Sequence, residues 1–316
     1  MPEKRKLGTS GLDTPRLVLG GNVFGNTTRG EEAFAVLDRF VEAGGTMVDT
    51  ADVYSAWVPG HKGGESETLL GEWLKRRGRR DDVLIATKVG MLAGEGGEKL
   101  EPSRIAAAAE ASLKRLGTDY IDLYYAHQDD EGTPMAESLA AFDRLVRDGK
   151  ARTIGASNYS AERLAKALAI SEAEGLARYT VLQPEYNLMV RDRFEGDLQK
   201  LCIEEGLGVL PYFGLASGFL TGKYQSEADF GKSPRGGRMG QYLNERGRKV
   251  LAALDAVAAE TGATQAQIAL AWIAAQPGIT APIASANHLD QLDELLGAMT
   301  LELSQEQLAR LSDAAR

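Results

Sequence analysis

The sequence predicts an α/β fold of the (β/α)8 barrel type, also called a TIM barrel, on two observations. Eight short apolar runs alternate with longer amphipathic runs, which is the order of a parallel sheet whose strands are connected by helices. The chain has 316 residues, and barrels of this type often exceed about 250 residues as one unit. We therefore expect one domain that covers residues 1–316.

The runs that we predict as barrel strands are short and rich in apolar or β-branched residues. They lie at residues 16–20, 46–49, 83–88, 121–127, 152–157, 180–184, 207–212 and 279–284. An open doubly wound sheet is the rival architecture, and it would carry a G-x-G-x-x-G fingerprint after its first strand. The segment LGGNVFGNTTRG is rich in glycine but lacks that spacing. The barrel is therefore the favoured architecture.

Amphipathic runs with start and stop signals predict the helices. These cover residues 31–43, 66–77, 103–116, 135–148, 160–174, 192–205 and 288–299, residues 246–275 in two pieces, and an extra C-terminal helix at 304–314. Pro102 and Ser160 mark helix starts, while Gly117 and Gly175 mark helix ends. Before the first strand, RKLGTSGLDTPRL is typical of a β-hairpin that covers one end of the barrel.

Composition and charge exclude several classes of partner. A formal net charge of -9 and a pI near 5.1 argue against a nucleic-acid or anionic membrane surface as the main partner. The N-terminus has no apolar signal region, and no apolar run approaches the roughly 20 residues of a membrane span. The single cysteine excludes an intrachain disulfide, and no His or Cys pair has metal-ligand spacing. We expect a cytoplasmic protein without a metal site.

Polar side chains stand where the predicted strands end, which is where (β/α)8 barrels carry their catalytic groups. They are Asn22, Asp49, Lys88, His127, Ser157, Asn158, Gln183, Tyr212, Ser285 and Asn287. Asp49 and Lys88 are 39 residues apart, as are Lys88 and His127, so all three should face one mouth. Taken singly they could be a turn former, a surface lysine and a core histidine. Burying them together would be costly unless they pair.

Such a cluster supports acid catalysis by a tyrosine. A phenol has an ordinary pKa of about 10, which is too high for ready proton donation near neutrality. An ammonium group within hydrogen-bond reach lowers that pKa because it stabilises the phenolate. We hypothesise that Lys88, held by Asp49, acts in this way on Tyr54, while His127 positions a carbonyl oxygen. A Schiff base on Lys88 is an alternative chemistry for a lysine at a strand end.

Several motifs together resemble the aldo-keto reductase superfamily, on the branch with potassium-channel β-subunits and many bacterial reductases. They are DTADVY, GGESETLLGEWL, ATKVG, SLKRLGTDYIDLYYAH, GKARTIGASNYS, LQPEYNL, LTGKY and ANHLDQLDE. The resemblance spans essentially the whole chain. It implies reversible hydride transfer from a reduced nicotinamide cofactor to an aldehyde or ketone. It also implies Tyr54 as general acid, Lys88 and Asp49 as the pair that tunes it, and His127 as the carbonyl-orienting residue.

The resemblance implies a set of cofactor-binding positions as well. Ser157, Asn158 and Gln183 correspond to residues that hold the nicotinamide carboxamide, and Tyr212 to an aromatic ring that stacks on the nicotinamide. The remaining positions are Gly21, Asn22, Asp49, Phe213, Gly214, Leu215, Ser217, Lys223, Arg235, Ser285, Asn287, Gln291 and Glu294. Many relatives carry a basic pair after the eighth strand that grips the 2'-phosphate, and this sequence does not. Lys223, Arg235 or Arg238 would then hold it, so we expect NADP(H), with NAD(H) as the alternative.

The implied partner is a small-molecule carbonyl or alcohol substrate. Long, glycine-rich loops at residues 89–101 and 213–245 follow two of the strands, and such loops are usually functional. Candidates for the substrate pocket are Phe24, Trp57, Met91 and Tyr159. A second hypothesis is a regulatory subunit that binds the cofactor but turns over slowly, as the channel β-subunits suggest.

Overall fold

A computed structural model describes residues 2–232 and 236–316 of the chain. Within these residues, eight parallel strands form one sheet, in which the first seven pair consecutively along the chain and the eighth pairs with the first. The barrel strands are β3 (Val18–Gly20), β4 (Met47–Asp49), β5 (Leu84–Val89), β6 (Ile121–Ala126), β7 (Ala151–Ser157), β8 (Tyr179–Gln183), β9 (Gly208–Val209) and β10 (Ile283–Ala284). All of the predicted strand runs therefore contain a strand.

The sheet closes on itself through its last strand. β10 pairs in parallel with β3, so that Ile283 lies opposite Val18. On its other side, the Ile283 N–H donates to the carbonyl of Pro211 at 2.8 Å, and the Thr280 N–H donates to that of Val209 at 2.9 Å. The first and last strands are thus neighbours, and the predicted (β/α)8 barrel is confirmed.

Helices alternate with the strands and pack on the outside of the barrel. They are α1 (Gly30–Glu42), α2 (Glu65–Arg77), α3 (Pro102–Leu116), α4 (Met135–Arg147), α5 (Ala161–Glu174), α6 (Asp197–Glu204), α7 (Glu245–Thr261), α8 (Gln265–Ala274), α9 (Leu289–Leu296) and α10 (Gln305–Ala314). Ser160 caps α5, because its hydroxyl accepts the Arg163 N–H at 3.2 Å. The extra C-terminal helix α10 is held against α8 by the Trp272 indole, which donates to the Ser312 hydroxyl at 3.0 Å.

Some boundaries differ from the prediction for identifiable reasons. α6 begins at residue 197 and not at 192, because Gly196 has φ 99°, which is outside helical geometry. The strands predicted at 207–212 and 279–284 shrink to two residues each, since Pro211 and Pro282 have no N–H to donate to a neighbouring strand. The long loop after β9 contains 3-10 helices at Ala216–Thr221, Glu227–Lys232 and Gly236–Gln241.

The predicted hairpin closes one end of the barrel. β1 (Arg5–Lys6) pairs antiparallel with β2 (Asp13–Thr14). The connecting turn places Leu7 and Leu12 in the apolar cluster that fills the barrel interior, and both are buried. Leu7 lies against Gly208 at the start of β9. The hairpin therefore covers the N-terminal end of the strands and leaves the C-terminal end for the polar side chains.

Two kinds of feature are absent from residues 2–232 and 236–316. No helix in these ranges is long and apolar enough to cross a membrane. The same ranges contain no group of three or more His, Cys, Asp or Glu side chains arranged to hold a metal ion. The polar groups that do converge lie at the open end of the barrel.

Candidate active site

The centre of the site is a buried ion pair between neighbouring strands. Asp49 ends β4, and Lys88 lies near the end of β5, which pairs with β4 in parallel. Both side chains are buried, with exposed fractions of 2% and 0%. The Lys88 ammonium donates to Asp49 Oδ2 at 2.6 Å. This distance confirms the predicted contact between the two residues. Pairing offsets the cost of burying each charge.

Tyr54 returns to this ion pair from the loop after β4. A turn in which the Tyr54 N–H donates to the Ala51 carbonyl, at 3.2 Å, brings the ring back over the strand end. The Lys88 ammonium donates to the Tyr54 hydroxyl at 3.0 Å, and that hydroxyl donates to Asp49 Oδ2 at 3.3 Å. The ammonium makes a third hydrogen bond, to the Thr50 carbonyl, at 2.7 Å. Phenol, ammonium and carboxylate therefore form one network, as the sequence predicts.

The expected lowering of the Tyr54 pKa is wrong for the protein chain taken by itself. Burial raises the pKa of Tyr54 well above its ordinary value, and the Asp49 carboxylate raises it further. Burial also lowers the pKa of Lys88, an effect that Asp49 opposes. The sequence argument considered only the nearby ammonium and left out the cost of placing a phenolate in a dry site. The phenol consequently keeps its proton, which is the state of a proton donor.

His127 faces the same network from the end of β6. Its ring centroid lies 6.1 Å from that of Tyr54, and the two planes are inclined by 71°. The side chain is 8% exposed. Burial lowers the pKa of His127 well below its usual range, and the charge on Lys88 lowers it further. In the part of the chain that the structure describes, the buried Nδ1 atom has no hydrogen-bond partner. A neutral imidazole is thus available to a ligand.

The predicted carboxamide-holding residues are connected to these catalytic candidates by hydrogen bonds. Gln183 Nε2 donates to Asp49 Oδ1 at 2.8 Å, and the Ser157 hydroxyl donates to the Gln183 main-chain carbonyl at 2.8 Å. Asn158 Nδ2 donates to the His127 carbonyl at 2.9 Å. Tyr212, which follows β9, donates its hydroxyl to Asn158 Oδ1 at 2.7 Å. The structure therefore brings all four predicted residues, from β7, β8 and β9, into one cluster.

The residues predicted after β3 and β10 form a second cluster beside the first. Ser285 donates to Asn22 Oδ1 at 2.6 Å, and the Asn287 N–H donates to Gln291 Oε1 at 2.9 Å. The Gly21 N–H donates to the Asp49 carbonyl at 2.7 Å, which attaches this cluster to the ion pair. The main-chain carbonyl of Glu294, on α9, accepts from Gln267 at 2.8 Å. These positions line up along the β3–β10 side of the open end.

The sequence model of the Aldo/keto reductase family matches residues 16–316. The chain belongs to this family. An uncharacterized oxidoreductase of Bacillus subtilis, YrpG, is 35% identical over 97% of this chain and 94% of its own length. Norsolorinic acid reductase B of Aspergillus parasiticus is 32% identical over 94% of this chain and 78% of its own length. A probable voltage-gated potassium channel β-subunit of Arabidopsis thaliana is 32% identical over 93% of this chain and 90% of its own length. Family membership identifies an oxidoreductase of small carbonyl compounds.

The segment after β9 has an unusual backbone. Phe213, Ala216 and Ser217 have φ values of 56°, 47° and 58°, in the left-handed region that non-glycine residues rarely adopt. The Asn187 side-chain amide donates to the Phe213 carbonyl at 3.0 Å and supports this turn. Gly214 lies against Leu270 of α8. Such strain persists only where the surroundings enforce it, and it concentrates at ligand sites.

The cations predicted to reach a 2'-phosphate differ in their positions. Lys223 is exposed, and its ammonium lies 5.2 Å from the Tyr224 ring centroid. Arg238 is exposed, and no ion pair to it is found within residues 2–232 and 236–316. Arg235 lies outside the described residues. Lys223 and Arg238 are therefore both exposed on the loop after β9, and hydroxyl groups of Ser157 and Tyr212 surround the Asn158 amide.

The structure divides the predicted substrate-pocket residues into two pairs. Trp57 and Met91 are 56% and 42% exposed, and the Trp57 ring lies 6.0 Å from that of Tyr54. Phe24 is fully buried in the outer core, and Tyr159 is 5% exposed. The expectation that these two line the pocket is therefore wrong, because both pack against the helices around the barrel.

Sequence reasoning missed two groups that shape the site. The Thr50 main-chain carbonyl accepts from Lys88, and a carbonyl leaves no signal in a sequence. Asn187, by contrast, is a fully buried amide two residues after the Glu of the LQPEYNL motif. A buried amide in an apolar segment is a recognisable sign of a turn that needs support.

Proposed function

We propose that the chain catalyses reduction of aldehydes or ketones to alcohols with NAD(P)H, and the reverse oxidation. The observation that carries this proposal is the hydrogen-bonded network of Tyr54, Lys88 and Asp49 at the open end of an aldo/keto reductase barrel. A bound nicotinamide supplies hydride. The protein supplies a proton, orientation and a dry environment.

Tyr54 acts as the general acid. The phenol is protonated at neutral pH and so holds a proton for the carbonyl oxygen of the substrate, although its raised pKa opposes the transfer. As the proton leaves, negative charge develops on the phenol oxygen. The Lys88 ammonium, 3.0 Å away, stabilises that charge, and Asp49 keeps the ammonium oriented.

His127 orients the carbonyl. A neutral imidazole carries one N–H, and the pKa of His127, lowered by burial, keeps it neutral. An N–H directed at the carbonyl oxygen holds that oxygen near the phenol without introducing a competing acid. The two rings lie side by side with their centroids 6.1 Å apart, so both can contact the same carbonyl group.

The cofactor is held by the residues that cluster around Asn158 and by the loop after β9. Ser157, Asn158 and Gln183 bind the carboxamide, and Tyr212 packs on the nicotinamide ring. The residues that bind the remaining parts are Gly21, Asn22, Phe213, Gly214, Leu215, Ser217, Ser285, Asn287, Gln291 and Glu294. NADP(H) is the proposed cofactor, with Lys223 and Arg238 at its 2'-phosphate, and NAD(H) is the alternative. This choice rests on the exposed cations of the loop.

The decisive variant is Tyr54→Phe, which removes the proton and keeps the ring. Turnover of a panel of aldehydes and ketones should fall by at least about 100-fold. NADPH affinity, measured by fluorescence titration, should stay within about twofold because the phenol does not hold the cofactor. Tyr120→Phe is the matched control, since Tyr120 precedes β6 at the opposite end of the barrel. Wild-type turnover by Tyr54→Phe would overturn the assignment.

A cofactor-binding regulatory subunit is the second candidate, favoured by the similarity to the plant probable channel β-subunit. It would bind NADPH as tightly as an enzyme but turn over slowly with every carbonyl compound in the panel. Tight binding without turnover in the wild-type protein would support it. A Schiff-base enzyme is disfavoured, because the Lys88 amine is fully buried and already donates to Asp49, Thr50 and Tyr54.

A further inference from the structure

Arg104 is a buried guanidinium that holds the backbone of the loop after β5. It lies in the first turn of α3 and is 6% exposed. Its Nε donates to the Leu92 carbonyl at 3.0 Å, and its Nη1 donates to the Glu95 carbonyl at 3.0 Å. Two nitrogens of one planar guanidinium thus hold residues 89–101, a loop that has few regular backbone hydrogen bonds of its own.

The third nitrogen of the same guanidinium contacts the loop that carries Tyr54. Arg104 Nη2 lies 3.4 Å from Asp52 Oδ2, and Asp52 is fully buried two residues before Tyr54. The Asp52 N–H donates to the Lys88 carbonyl at 3.3 Å. The Arg104 side chain therefore connects the loops after β4 and β5, and the Asp52 main chain connects the first of these loops to the end of β5.

Glycines on both loops lie close against this contact. A Cβ added at Gly94 would lie 2.8 Å from Arg104 Nη1, which is closer than real contacts allow. A Cβ added at Gly63 would lie 2.8 Å from Leu92 Cδ2 and 2.7 Å from the Asp52 carbonyl oxygen. The glycines on both loops thus permit the close approach in which the guanidinium lies.

Each segment that Arg104 connects carries one of the exposed residues predicted for the substrate pocket. Met91 lies one residue before Leu92, whose carbonyl Arg104 holds, and it is 42% exposed. Tyr54 lies on the opposite segment with Trp57 6.0 Å from it. Displacement of one segment against the other would change the distance between Met91 and the proton donor. It would do so without altering the Asp49–Lys88 pair itself.

We propose that Arg104 and Asp52 form a clamp that positions residues 89–101 against the Tyr54 loop, and so sets which carbonyl substrates reach Tyr54. Both are positioning residues, because neither touches the reacting atoms. The inference rests on the proposed carbonyl reductase function for its effect on substrate choice. The effect on the loop itself is independent of that function.

Charges from several elements act on the clamp. Glu67 of α2 repels the Asp52 carboxylate, whereas Arg104 and Arg115 of α3 attract it. Lys88 of β5 and Tyr124 of β6 are also within electrostatic reach of Asp52. Burial, with Glu67 adding to it, raises the pKa of Asp52 to about 7. The ion pair with Arg104 is therefore complete above neutral pH and loses its negative partner below it.

Hydrogen–deuterium exchange of residues 89–101 tests the clamp directly. Arg104→Met should speed exchange of this loop by roughly tenfold, because both carbonyl contacts and the ion pair are lost together. Lys114→Met is the matched control on the same helix, since Lys114 is an exposed cation of α3. Unchanged exchange of residues 89–101 in a folded Arg104→Met protein would overturn the clamp.

Asp52→Asn keeps the proposal testable if Arg104→Met does not fold, because it is isosteric. In the wild-type protein, exchange of the loop, corrected for the intrinsic effect of pH, should be slower at pH 8 than at pH 6. Asp52→Asn should abolish that difference. A wild-type loop whose corrected exchange is the same at both pH values would contradict the role of Asp52.

Substrate choice is measured with propanal and 4-nitrobenzaldehyde as a small and a bulky aldehyde. Arg104→Met and Asp52→Asn should change the KM ratio of the two aldehydes by at least about threefold, with kcat for propanal changed less. Arg104→Lys should restore part of the ratio. If the wild-type protein reduces neither aldehyde, the proposed function fails while the exchange result still decides the clamp. If both variants keep wild-type exchange of the loop and an unchanged KM ratio, the clamp is refuted while the proposed function stands.

Discussion

Gln183 and Asp49 are joined by a hydrogen bond that spans the barrel mouth. Gln183 ends β8, and Asp49 ends β4 on the opposite side of the eight-stranded sheet. The amide Nε2 of Gln183 lies 2.8 Å from Asp49 Oδ1. Both side chains are 2% exposed. Asp49 thus accepts from Gln183 through one oxygen and from Lys88 through the other.

A second carboxylate at position 183 should disrupt the ion pair. In Gln183→Glu, two carboxylates within about 3 Å cannot both ionise, so one takes up a proton and the hold on Lys88 weakens. We expect kcat to fall by about 10- to 100-fold with a new pH dependence. Steady-state kinetics across pH measure this. Gln183→Met is the control for lost amide contacts, and equal pH profiles of the two variants would contradict the expectation.

Removal of the ammonium should affect chemistry more than binding. Lys88→Met leaves Asp49 as a buried carboxylate without its cation and removes the group that stabilises phenolate charge. We expect kcat to drop by at least about 100-fold, with a loss of unfolding free energy of about 3 kcal/mol. Denaturant unfolding and kinetics measure the two effects separately. Lys88→Met in an Asp49→Asn background should recover stability but not turnover, and recovered turnover would refute the role of Lys88.

Stability should fall as pH rises through the range in which Asp52 titrates. The folded-state pKa of about 7 lies above the ordinary value of 3.8, so the folded chain binds more protons than the unfolded chain between these values. The contribution of Asp52 to stability is therefore greatest at low pH and is lost as pH rises to about 7. Urea unfolding at pH 5 and pH 8 measures this. The unfolding free energy should decrease less between pH 5 and pH 8 in Asp52→Asn than in the wild-type protein. Identical losses would mean that Asp52 is not the group concerned.

The exposed ammonium of Lys223 gives a test of cofactor choice. If it meets a 2'-phosphate, Lys223→Met should weaken NADPH binding by about fivefold to tenfold and leave NADH binding unchanged. Fluorescence titrations with both cofactors measure this. Lys166→Met, on the exposed face of α5, is the control for loss of one surface charge. Equal weakening for both cofactors would place Lys223 away from the 2'-phosphate.

The C-terminal helix should contribute substantially to stability through one indole. Trp272 is fully buried, stacks on Tyr186 with ring centroids 5.5 Å apart, and donates to Ser312 of α10. Trp272→Ala removes this packing and should lower the unfolding free energy by about 3 to 5 kcal/mol. Thermal unfolding measures the loss. Trp57→Ala, at a 56% exposed position, should change stability by less than about 0.5 kcal/mol.

The alternation of runs predicted the barrel because each strand needs a crossover helix to reach its parallel neighbour. The equal spacing of Asp49, Lys88 and His127 predicted their convergence for the same reason. The direction of the Tyr54 pKa could not be predicted in this way, since it depends on how much water the folded site excludes. Phe24 and Tyr159 were misplaced because an apolar side chain near a strand end can face the mouth or the helices, and the sequence does not distinguish these.

The hairpin at the other end of the barrel has a consequence for turnover. Leu7 and Leu12 close the N-terminal end beneath the buried ion pair, so Tyr54 meets solvent from the open end of the barrel. In the proposed reduction, a proton given to the product would be replaced from that same end. Reprotonation of Tyr54 would then follow departure of the alcohol.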